Sequence, residues 1–117
     1  MDDVVREFRD IDADMRLVLT LSAVSWDLAY LRDDLEDVYT DADFDATYRE
    51  HMGNQISSDN MRQTVNGGTY FGQMYLLEDI VIFQFPSSRY EAIVVSYDRN
   101  GTVPVERVFD TARKLDL

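Results

Sequence analysis

Apolar and polar positions alternate along this chain with two periods, and the switches between them mark out eight elements. Val4, Val5, Phe8 and Ile11 fall at helical spacing behind Asp2 and Asp3, acids of the kind that favour a helix N-terminus, and predict a short amphipathic helix over about 2–11. Asp10, Asp12 and Asp14 then make a polar turn. Over 15–23, Leu17, Leu19 and Leu21 alternate with Val18, Thr20 and Ser22, the period of a strand. A second strand follows at about 25–31, with Trp26, Leu28 and Tyr30 set against Asp27 and Ala29, and the short link predicts a hairpin. The charged stretch 32–37 has room for one helical turn. Thr40 or Asp41 caps a middle helix that carries Asp43 and Asp45 in its first turn. In that helix Phe44, Tyr48, Met52 and Ile56 recur at spacing four, and Met61 and Val65 extend the stripe. Gly53 and Asn54 leave open one bent helix or two, and Asn66-Gly67-Gly68 ends the region.

Three strands come next. Residues 69–77 set Phe71, Gln73, Tyr75 and Leu77 against Tyr70, Gly72, Met74 and Leu76. Glu78-Asp79 is a two-residue turn. Residues 80–85 and 90–97 are nearly continuous apolar runs, the mark of central strands buried on both faces. After the turn 98–101, Thr102 reads as a helix cap and Pro104 as a first-turn residue. Val105, Val108, Phe109, Ala112 and Leu115 then give one helical face. The order is α-β-β-α-β-β-β-α. It predicts an α+β fold of one domain over 1–117, an α/β/α sandwich in which helices cover both faces of a five-stranded antiparallel sheet.

Charge changes the picture. The chain carries 23 acidic and 11 basic side chains, one His and no Cys, for a formal charge of −12. Zero Cys excludes disulfides, thiolate zinc sites and Cys nucleophiles. The acidity argues against unaided nucleic-acid binding, since phosphates need Lys and Arg opposite them. No apolar run reaches membrane-spanning length. Met1-Asp2-Asp3, with no apolar segment behind it, predicts no standard secretion signal and a cytoplasmic protein. The bias within the charges is specific: 17 Asp against 6 Glu, and 10 Arg against Lys114 alone. Asp and Arg displace the Glu and Lys that helices favour. Such a surface suits molar salt, where the Debye length is about 3 Å and like charges repel weakly.

In its element order the chain resembles roadblock and profilin-like domains and, more loosely, PAS sensor domains. Those resemblances imply a sheet order of 2-1-5-4-3, numbered along the chain, which puts the two apolar runs near the C-terminus at the centre. Roadblock-like domains bind small GTPases and scaffold complexes. Tyr30-Leu31-Arg32-Asp33-Asp34-Leu35, the helical middle, the aromatic hairpin 70–85 and Val94-Val95-Ser96-Tyr97-Asp98 are similar to a small family of haloarchaeal proteins. That likeness carries no activity with it.

Candidate chemistry is sparse. His51, the one imidazole, sits on the boundary of the middle helix's apolar face. Ser57 and Ser58 follow it outside any nucleophile motif, so a surface or half-buried His is expected. Asp41, Asp43 and Asp45 open like a calcium loop, but its sixth and twelfth positions hold Ala46 and Met52; Asp10, Asp12 and Asp14 fail likewise at Met15 and Leu21. Gly67-Gly68-Thr69 lacks the Lys of a phosphate loop. Asn100-Gly101-Thr102 matches a glycosylation acceptor, which is idle without export. No catalytic residue, metal site or cofactor is assigned. In a sensor fold Tyr48, Met52, Ile56 and Met74 would line a ligand pocket, but side chains this large fill a core instead. The expected role is that of a non-enzymatic adaptor or regulator, in signalling, cell-shape, motility or transcriptional control. It would act on a protein partner or a second copy through the edge strand 69–77 and the middle helix, with Phe71, Tyr75, Tyr48 and Met52 as contact residues.

Overall fold

The computed structural model describes residues 2–65 and 67–115; of the stop expected at Asn66-Gly67-Gly68, Asn66 lies outside them, and the middle helix ends just ahead of it at Thr64. Helix α1 (Asp2–Arg9) is followed by strands β1 (Met15–Leu21) and β2 (Trp26–Leu31), then a 3₁₀ turn (Asp33–Leu35) and helix α2 (Asp41–Thr64). Strands β3 (Gln73–Leu76), β4 (Ile80–Pro86) and β5 (Ala92–Asp98) precede helix α3 (Val105–Lys114). The five strands form one antiparallel sheet in the order β2-β1-β5-β4-β3. The α+β class, the element order and the sheet order are those expected from the sequence.

Burial explains the order. In β5 every residue from Ala92 to Tyr97 is buried, and β4 is nearly as enclosed. On one face Phe83, Phe85, Ile93, Val95 and Tyr97 pack under α1 and α3, which contribute Val4, Val5, Phe8, Val108 and Ala112. Each large apolar side chain so enclosed contributes about 1.5–3 kcal/mol. The Tyr97 hydroxyl donates to the Phe8 carbonyl oxygen at 2.8 Å, tying the central strand to the end of α1. On the other face Leu19, Leu21, Ala92 and Val94 pack under Phe44, Tyr48 and Met52 of α2.

Helix α2 is one element across Gly53 and Asn54. Thr40 caps it: its hydroxyl accepts from the Asp43 N–H at 3.2 Å while the Asp43 carboxylate accepts from the Thr40 N–H at 2.8 Å. Such a reciprocal cap stabilises a helix by about 0.5–2 kcal/mol. Its apolar stripe packs on the sheet from Phe44 as far as Met52. Farther along, Ile56 and Met61 are exposed.

Three expectations change. In β2, Val18 faces Tyr30 but Leu19 faces Leu28, so Ala29 is an extra residue. This bulge puts Trp26, against Phe44, on the α2 face and Tyr30 on the opposite one, so the two do not share a side. Strand β3 begins at Gln73 and not at 69, because Gly72 takes a positive φ of 154° that breaks the strand. Helix α3 is capped at Pro104, without a side-chain hydrogen bond, and not at Thr102.

Candidate functional site

Two single polar residues interrupt the buried central strands, and both point to the α2 face. The first is Gln84 of β4, which is fully enclosed. Its amide Nε2 donates to the His51 backbone oxygen at 2.9 Å and to Gln55 Oε1 at 3.1 Å. Its Oε1 lies 2.6 Å from His51 Nδ1. A carboxamide oxygen can only accept, so Nδ1 carries the proton and Nε2 of the neutral ring is an acceptor. His51 is therefore buried, against the expectation of a surface or half-buried residue, because Gln84 supplies the polar partner that burial demands. Its ring meets Tyr75 edge-on at 5.5 Å.

The second is Ser96 of β5, 3% exposed, whose Oγ has no hydrogen-bond partner among the described residues. Ser96 and His51 line a cavity of about 220 Å³ between α2 and the sheet, with Leu19, Ile82 and Val94 among its apolar walls. Arg16 and Tyr39 close one side. The Arg16 guanidinium donates to Asp98 Oδ1 at 2.9 Å and to the Tyr39 hydroxyl oxygen at 2.6 Å. Arg32 donates to Asp98 Oδ2 at 2.6 Å and takes Asp34 bidentately at 2.6 and 3.0 Å. Burial pushes the Asp98 carboxyl up, but the hydrogen bonds and charges of the two guanidiniums outweigh it and hold it below the usual carboxylate value. A wider cleft of about 450 Å³ between α2 and the β3–β4 hairpin shares Thr47, His51 and Ile82 with the cavity.

Burial depresses the His51 pKa below its ordinary 6.5, against the opposing pull of the Gln84 hydrogen bond. The unfolded chain therefore binds a proton that the folded one resists. The contribution of neutral His51 is complete above about pH 6.5 and is lost as pH falls from there toward the depressed folded value. Urea midpoints are expected to fall between about pH 7.5 and about pH 5.5. His51→Gln should flatten that dependence, since the chain has no other imidazole. An unchanged midpoint in the wild-type chain would contradict the buried neutral ring.

The four expected contact residues do not form one surface. Phe71 is 52% exposed on the α3 side, with the Arg113 guanidinium 5.6 Å from its ring centroid. Tyr75 lies on the α2 side of β3, and its hydroxyl donates to Gln73 Oε1 at 2.8 Å. Tyr48 donates to the Ser22 carbonyl oxygen at 2.7 Å, and Met52 packs into the α2-side core. Of the residues considered for a sensor pocket, none lines the cavity: Ile56 is exposed, and Met74 pairs with Phe83 on the opposite face. Asp10, Asp12 and Asp14 border an open acidic cleft of about 470 Å³, where Asp14 accepts from the Asn100 amide. Among the described residues no three carboxylate or imidazole groups are placed to hold a metal ion. No described helix is long and apolar enough to cross a membrane.

Fold and site together define a small α+β domain whose middle helix covers a polar-spotted cavity on one face of a five-stranded sheet. The chain belongs to the family described as Domain of unknown function (DUF7522), which matches residues 2–115. No curated protein and no solved structure matches it.

Proposed function

We propose that the domain is a non-catalytic adaptor or regulatory module that works by protein contact, pairing with a second copy of itself in a cytoplasm of concentrated salt. The observation that carries this reading is the open, uncharged edge of β3, flanked by exposed apolar residues on both faces of the sheet. Seven of the ten exposed large hydrophobic residues among those described lie between Ile56 and Leu77. Positions 63–77 hold no charged side chain, in a chain that is 29% charged. Among the described residues strand β3 pairs only with β4. The Leu77 N–H donates to the Ile80 oxygen, so in antiparallel alternation Met74 and Leu76 direct their backbone groups outward. An open strand edge without Lys or Pro is a template for pairing.

Charge favours the same occupant. Two copies of a chain at −12 repel least where neither carries charge, and concentrated salt weakens what repulsion remains. The excess of Asp and Arg over Glu and Lys supports the saline setting and the haloarchaeal likeness. The sheet order is the one that the resemblance to roadblock and profilin-like domains implies, and roadblock-like domains bind small GTPases and scaffold complexes, which supports action through protein contact. The buried imidazole also supports a non-catalytic reading, since Nδ1 is bound to a carboxamide and not to a carboxylate that would orient it as a base.

Light scattering behind size exclusion in about 2 M potassium chloride tests the pairing, at an ionic strength where the Debye length is below about 3 Å. The expected mass is twice 13.6 kDa. Leu76→Arg, at a position 60% exposed, should return the monomer without lowering the melting temperature. A wild-type chain that stays at monomer mass up to millimolar concentration would sink the reading.

A further inference from the structure

We propose that the cleft between α2 and the β3–β4 hairpin binds a small organic cation, a primary ammonium on an apolar stem, which donates to Nε2 of His51 and lies against the Glu50 carboxylate. The imidazole sets the first requirement. Its Nδ1 is committed to Gln84, so Nε2 is the acceptor left on the ring. Nε2 has no hydrogen-bond partner among the described residues, yet it is not sealed: Ser96 Oγ is the one fully enclosed side-chain polar atom among them left without one. The 5% of its surface that His51 keeps opens on the cleft of about 450 Å³. An acceptor buried to that degree and left without a partner calls for a donor from outside.

Charge sets the second. Glu50 lines the cleft, is exposed, and makes no ion pair among the described residues. It is close to both rings. Burial lowers the His51 pKa against the Gln84 bond and the Glu50 charge; burial raises the Tyr75 pKa, with the Tyr70 and Glu50 charges adding to it. The ligand that satisfies a lone carboxylate and a neutral imidazole together is a cation with N–H groups; an anion is repelled by Glu50. Potassium at molar concentration screens Glu50 but carries no proton, so Nε2 stays open to an N–H donor. The walls set the third. Ala46, Leu77 and Ile82 are apolar, with the Tyr75 ring beside them, so an apolar stem fills the space that an ammonium group alone would leave. The volume is within the range of small-molecule sites, about 300–1,000 Å³. The cleft lies on the Tyr75 face of β3 and Leu76 points to the other, so the Leu76→Arg chain keeps the site whether or not the domain pairs with itself.

Benzylammonium titrated into the full chain in molar potassium chloride, followed by amide and imidazole nitrogen resonances, tests the proposal. Saturable shifts at Thr47, His51, Asn54 and Tyr75 are expected, with a Kd of about 1 mM or tighter. The Nε2 resonance should move with them, and its assignment is unambiguous because His51 is the one imidazole. Benzyltrimethylammonium keeps the ring and the charge but has no N–H, and should bind about tenfold more weakly, the loss of a charge-assisted hydrogen bond. Glu50→Gln, at an exposed site, should weaken benzylammonium about threefold and leave toluene unchanged. His51→Phe should erase the preference between the two cations; if that variant does not fold, their affinities for the wild-type chain decide. Shifts that do not saturate, that map outside the cleft, an unmoved Nε2 resonance, or equal affinity for the two cations would each overturn it.

Discussion

Raising potassium chloride from about 0.1 M to about 3 M is expected to lift the melting temperature by about 10 °C or more, roughly 2–3 kcal/mol for a domain of this length. The cause is the surface. Of the carboxylate side chains described, only Glu7 and Asp98 are even half-buried; the others are exposed. At low ionic strength the Debye length is about 10 Å and an excess of twelve negative charges repels across the whole domain; in molar salt the reach falls to about 3 Å or less. Concentrated salt also strengthens apolar burial, so the slope alone does not isolate repulsion. A variant carrying Asp10→Asn, Asp12→Asn and Asp37→Asn does so, because all three sites are exposed. It should melt higher than the wild-type chain at low salt and gain less from added salt. Equal slopes for the two chains would assign the effect to burial and remove electrostatics as its cause.

What was legible in the sequence follows from which interactions are local. The runs 80–85 and 90–97 have no polar face to give to solvent, so they could only be central, and β4 and β5 are. Leu17, Leu19 and Leu21 fell on one side because β1 keeps its alternation through that stretch. The facing of β2 was not legible, because the Ala29 bulge depends on register with β1 and leaves the alternating pattern intact. His51 looked like a boundary residue for a similar reason. Its burial rests on Gln84, thirty-three positions away, and nothing in the helix itself announces that partner. A signal did exist in the strands: Gln84 and Ser96 are lone polar residues inside apolar runs, and both mark the α2 face. Aromaticity and helical spacing point to Phe71, Tyr75, Tyr48 and Met52 but do not report that Phe71 and Tyr75 flank the sheet edge from opposite faces.

Gly72→Ala is expected to destabilise the domain by about 2–5 kcal/mol, the sum of a strained backbone and an overfilled core. The residue has a φ of +154°, which L side chains rarely adopt. A Cβ there would lie 2.6 Å from the Gln84 backbone oxygen and 3.0 Å from ring atoms of both Phe85 and Phe109. The oxygen belongs to the central part of β4 and cannot swing away as a side-chain end could. Relief has to come from the 67–72 segment lifting off, which uncovers Phe109 of α3 and frees the start of β3. Gly53→Ala is the matched control. That glycine is exposed within α2 with nothing within 4 Å of its would-be Cβ, so the same substitution should stabilise by about 0.5–1 kcal/mol through helix propensity. Urea denaturation of the two variants should therefore move the midpoint in opposite directions. If Gly72→Ala left the midpoint in place, the close approach of 72 to β4 would be wrong. The β3 edge on which self-pairing depends would then have to be placed differently.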